Sequence, residues 1–139
     1  MTPLQATETI YAAAVAGMGS TPLTFEGERY TPTAGTSWVR VSVRDSPSGP
    51  MTHGPSGGRR IERPAVVYGQ VFTPYGTDDG VAVAMTLAQT FRDLFEGRDL
   101  TATGGGSLTF LGASVRRVGI DGAWYQVNVE CPFTHDETI

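Results

Sequence analysis

The chain has 139 residues, a net charge of −4, no lysine, and a charged fraction of only 17% against 40% hydrophobic residues. That composition excludes wholesale disorder, and the acidic balance argues against a dedicated duplex-DNA binder, which needs a basic surplus to displace counterions. A length near the usual size of one core gives a single domain over residues 1–139. Eighteen glycines and nine prolines leave much of the chain to loops.

Thr2-Pro3-Leu4-Gln5 opens the chain with a capping box: a Thr N-cap, Pro at the first helical position and Gln three residues after the cap. A helix is predicted over about 3–16, with Leu4, Tyr11, Ala14, Val15 and Met18 as its apolar face. The segment 19–35 reads as an irregular arm tacked down by Phe25 and Tyr30. Period-two alternation then predicts a strand at about 36–44, with Val39, Val41 and Val43 on one side and Trp38, Arg40, Ser42 and Arg44 on the other. A Gly/Pro-rich stretch at about 45–63 reads as one long loop.

A second strand follows at about 64–73, opened by Pro64 because proline is unsuited to mid-sheet positions. Val66, Tyr68, Gln70 and Phe72 share one side, and Val67 and Val71 the other. Thr77-Asp78-Asp79 reads as the cap of a second helix over about 78–96, with Ala84, Leu87, Ala88, Phe91, Leu94 and Phe95 as its apolar stripe. The last third reads as a hairpin. Its strands lie at about 106–118 and 124–131, turned by Ile120-Asp121-Gly122 and closed by Pro132, with a loose tail at 134–139. The expected fold is α+β, ordered α-β-β-α-β-β: a small antiparallel four-stranded sheet of two hairpins flanked by two helices.

No catalytic, cofactor or metal residues are predicted. His53, in the Gly/Pro loop, and His135, in the tail, are expected to meet only across subunits, so they read as solvated surface histidines rather than metal ligands. Cys131, the only cysteine, falls on the phase of Val127 and Val129 and reads as a small buried hydrophobe. Thr103-Gly104-Gly105-Gly106-Ser107 lacks the Gly-Lys-Ser/Thr end of a phosphate loop and precedes a strand. The main polar feature is arginine: Arg59, Arg60 and Arg63, which Arg40 and Arg44 are expected to join. Guanidiniums suit bidentate pairing at interfaces. Together with an exposed Trp38 they form the candidate subunit interface. No stretch approaches the length of a membrane span.

The segments Ser37–Val43, Gly58–Arg63, Val71–Thr77 and Tyr125–Phe133 resemble the tail terminator proteins of long-tailed bacteriophages, such as the lambda tail terminator. The likeness extends over about Thr36–Glu137, with a matching N-terminal helix. It implies a virion protein with no enzymatic activity, made in the host cytoplasm and placed at the head-proximal end of the tail. Six copies would ring the finished tail tube, with the tube protein below, a connector or stopper protein above, and DNA passing through the lumen without specific binding. Another head–tail joining protein, or a small enzyme using the arginine loop, is the alternative. The enzyme would need a concave pocket with a perturbed acid or base beside those arginines.

Overall fold

A computed structural model describes every residue except 51, 56, 77, 78, 103 and 104. Two helices, α1 (Pro3–Gly17) and α2 (Gly80–Phe95), accompany eight strands: β1 (Leu23–Phe25), β2 (Trp38–Asp45), β3 (Gly49–Pro50), β4 (Arg60–Pro74), β5 (Asp99–Thr101), β6 (Ser107–Phe110), β7 (Ser114–Asp121) and β8 (Trp124–Thr138). All eight belong to one mixed sheet, in the order β1-β2-β4-β8-β6-β5, with β3 beside β4 and β7 beside β8. The pair β1/β2 is parallel and the others are antiparallel. The expected four-stranded sheet of two hairpins is therefore wrong. Both predicted pairings exist, β2 with β4 and β7 with β8, but β4 and β8 join them along their whole length, from Arg60↔Thr138 to Pro74↔Trp124.

Both long strands run through a proline that marks a strand end in the sequence pattern, β4 through Pro64 and β8 through Pro132. In a strand, a residue's N and O point to the same side. The Pro64 carbonyl accepts a hydrogen bond from the Ser46 N–H (3.0 Å), so its missing donor faces the gap between β2 and β3 rather than β8. The Pro132 carbonyl accepts from the Leu111 N–H (3.0 Å), facing the gap between β6 and β7. Each proline thus sits where one short outer strand hands over to the next, and no ladder bond of the β4/β8 pair is lost.

Three further corrections follow. The tail is not loose: Thr134–Thr138 is strand, and Ile139 N–H donates to the Arg59 carbonyl (2.8 Å). The loop at 45–63 shrinks to 46–59 and contains β3. The strand expected at 106–118 is two strands, β6 and β7, parted at 111–113. The β7–β8 turn centres on Gly122-Ala123; only Gly122 has positive φ (+61°), as in a type II′ turn.

The helices match their predicted spans closely. The Thr2/Gln5 capping box forms in both directions, at 3.2 and 2.8 Å. The buried face of α1 and its cap is Ala6, Ile10, Ala14 and Met18, with Tyr11 partly buried; Ala14, Tyr11 and Met18 are inward as predicted, whereas Leu4 and Val15 are exposed. The second stripe holds: Ala84, Ala88, Phe91 and Phe95 are buried, and Leu87 and Leu94 partly so. Asp79 occupies the N-cap of α2 without a side-chain cap bond, contrary to its predicted role; Thr77 and Asp78 lie outside the described residues. Both helices cover one face of the sheet, where Val39, Val41, Val67, Val71, Val127, Val129, Cys131 and Phe133 form the core.

Candidate functional site

Strand alternation gives the sheet a second face, opposite the helices. The registers of β2, β4, β8 and β7 align its residues in rows across the strands. One row is Trp38–Phe72–Gln126–Gly119; the next is Arg40–Gln70–Asn128–Arg116; a third is Ser42–Tyr68–Glu130–Ser114.

The first row closes into a small aromatic cluster. Trp38 stacks on Phe72 (4.2 Å between ring centres, 13° between planes), meets Trp124 edge-on at 6.1 Å, and lies 4.9 Å from Tyr30. The arm is thereby held down, as predicted for Tyr30, while Phe25 lies 4.3 Å from Tyr11. Trp38 is only 4% exposed, so the expected exposed interface tryptophan is buried inside its own chain. Its role here is to hold an arginine: the Arg40 guanidinium carbon sits 5.3 Å from the Trp38 ring centre. Similarly, Arg44 sits 5.5 Å over Tyr68. Stacking flattens each guanidinium on an aromatic face and leaves its N–H edges available.

The five predicted arginines do not form one cluster. Arg40 and Arg44 lie on the uncovered face. Arg60 shares their face but is ion-paired to Asp136. Arg63 is on the phase of Ala65 and Val67, toward the opposite side, where it donates to Glu137 at 2.8 and 3.1 Å and to Ser48 at 3.1 Å. Arg59 precedes β4; its Nε is buried without a hydrogen-bond partner. Sequence reasoning missed Arg116, Gln70 and Asn128, which the register sets beside Arg40. Arg116 was hidden because 106–118 read as one strand; knowing the β7/β8 register would have revealed it.

An open groove of about 600 Å³ continues the uncovered face past Arg60, Glu62, Thr134 and Asp136. His135 borders it but belongs to the other phase, beside Leu108 and Phe133, and is 3% exposed with Nδ1 unpartnered. Burial pushes its imidazole below the ordinary value; the N-terminal ammonium adds to this, while Glu137 and Asp45 oppose it. Arg60, the arginine lining this groove, is already engaged by Asp136. Cys131 is fully buried, and burial raises its thiol to about 12, with Glu96 adding to the shift. Among the described residues, no group of three His, Cys, Asp or Glu side chains is arranged to hold a metal ion.

No protein-family model and no curated protein matches the chain. Its fold does match solved structures. One, which carries no functional name, superposes with a TM-score of 0.70 at 18% identity, covering 97% of this chain and 96% of the other. A second is a chain in the virion of a native gene transfer agent particle, with a TM-score of 0.50 at 22% identity, covering 96% of this chain and 92% of that one. At these identities the likeness shows a shared fold.

Proposed function

We propose that this chain is a structural protein of a phage or phage-like particle that caps the tail tube as a ring of six copies. It ends tube polymerisation and presents the surface to which the head joins. The observation that carries the reading is the end-to-end fold likeness to a chain of the gene transfer agent virion, which spans nearly all of both chains. The architecture is compatible. The uncovered sheet face and the outward sides of the two helices give each copy two different surfaces, and a ring of head-to-tail contacts needs two different patches on each copy. The mechanism is capping by surface complementarity, with no bond chemistry: one side of the ring fits the tube end, and the other fits the connector or stopper while DNA passes through the lumen.

The test is particle assembly without this chain. Tubes of uncontrolled length, restored to uniform length when the protein is supplied, are the expected result. Tubes of normal length that fail to join heads would overturn capping and place the chain among the head–tail joining factors.

A further inference from the structure

The uncovered face carries a row of side chains whose arginine N–H groups make no ion pair among the described residues. Arg40, Gln70, Asn128 and Arg116 are consecutive cross-strand partners on four neighbouring strands. Neither arginine has a carboxylate partner among the described residues, and both are exposed. The Asn128 Oδ1 already accepts from Gln126 Nε2 (2.8 Å), which leaves the Asn128 amide N–H groups to point elsewhere. Arg40 is held on Trp38, and Trp38 is itself locked by Phe72, Trp124 and Tyr30, so this guanidinium is preset rather than free. Stacked arginine on a rigid aromatic base is the composition of protein–protein hot spots, and presetting lowers the entropy lost on binding.

We infer that this row docks an extended acidic segment of a partner protein, with its end carboxylates on Arg40 and Arg116. Three strand spacings separate the two arginines, about 14 Å, and two carboxylates four residues apart on an extended chain span about 14 Å as well. Bidentate carboxylate pairing uses the free guanidinium edges, and the amides between them serve the segment's carbonyls. A nucleic-acid backbone fits less well: it carries a charge on every nucleotide, so Glu130 in the adjoining row and the net charge of −4 oppose it more than a segment with only two carboxylates. The inference rests on the geometry of this face, independently of tail capping.

The probe is a short acetylated Ser/Gly peptide with two glutamates four residues apart, followed by amide chemical shifts of the full-length protein at low salt. The expected result is perturbation confined to β2, β4, β8 and β7 around the row. Arg40→Ala or Arg116→Ala should weaken binding about threefold to tenfold. Arg117→Ala makes the same charge change one residue along β7, on the opposite phase, and should leave binding unchanged. A peptide with adjacent glutamates should bind more weakly. Equal losses in all three variants would reveal a net-charge effect and overturn the inference, as would no perturbation at the row, or tighter binding of duplex DNA at the same residues.

Discussion

The two faces of this sheet are made by the same strands, one residue out of step, and they solve opposite problems. On the helix side, Val39, Val41, Val67, Val71, Val127 and Val129 are fully buried beneath Phe91 and Phe95. Aromatic contacts continue from Phe91 through Phe95 and Phe110 to Phe133 at 5.1–5.2 Å. The other face is dry at the corner where the arm lays Tyr30 over Trp38, and at Thr24 beside Arg40; beyond these come arginines, amides and a glutamate. The lesson is that stability and recognition are separated by the pleat. Substitutions in one phase should cost folding, and substitutions in the other should cost binding.

The sharpest way to break that separation is at Gly69, on the covered face. A Cβ added there would lie 2.6 Å from the Phe91 ring. Gly69→Ala must push the ring aside, at about 1–3 kcal/mol or more. Phe91→Ala, which leaves a cavity instead, should cost about 3–5 kcal/mol. Urea unfolding midpoints measure both. The double variant should cost less than the sum of the singles, because removing the ring relieves the clash. Strict additivity would mean that Phe91 is not what holds residue 69 to glycine.

The corresponding test on the uncovered face is Trp38→Ala. It removes the aromatic corner there, at roughly 2–4 kcal/mol, slightly below a full core truncation because the arm can resettle. Its separate signature is local. The arm should become open to trypsin at Arg29 before global unfolding, whereas Phe91→Ala should open arm and core together. Equal arm protection in both variants would contradict Tyr30–Trp38 as the clasp.

A smaller effect sharpens how dry the covered side is. His135 is held neutral by burial, with its pKa below the unfolded value of about 6.5. The unfolded chain therefore binds the proton more readily. Stability should be level above about pH 6.5, decline as the pH falls below it, and level off for this group once the folded value is passed. His135→Gln should flatten that part of the profile; an unchanged slope between pH 7 and 5 would assign it to other groups. Cys131, raised to about 12, should resist thiol reagents at pH 8 in the native state and react at the rate of unfolding.

Much of this arrangement was legible in the sequence, and the failures share one cause. Alternation in 38–44, 66–72 and 124–131 correctly assigned residues to phases, and the second helix's stripe was correct, because those signals are local. The fold was misjudged where the decisive partner is distant. Pro64 and Pro132 read as strand ends because a missing N–H matters only toward the neighbour it faces, and that neighbour is fixed by β2/β3 and β6/β7, not by local sequence. The tail read as loose because nothing in 134–139 announces a pairing with 60–64. Among the candidate interface residues, Arg40 and Arg44 do face outward, but Trp38 is buried, because its cover comes from an arm with no regular period. Arg60 and Arg63, three residues apart, fell on opposite phases once β4 extended back to residue 60.

That last split gives the finest comparison of the two faces. Both arginines tie β4 to the end of β8, Arg60 to Asp136 and Arg63 to Glu137, so the two ion pairs differ mainly in their surroundings. The side chains of the first pair are 52% and 35% exposed; those of the second are 30% and 17% exposed. Water and salt screen the first more strongly. Arg63 also carries a hydrogen bond to Ser48, which pins the loop before β4. Arg60→Ala should therefore cost about 0–0.5 kcal/mol, and Arg63→Ala about 1 kcal/mol, with only the former vanishing in high salt. Equal costs in both variants would mean that the phase of the strand, which governs everything larger in this molecule, no longer matters at its final few residues.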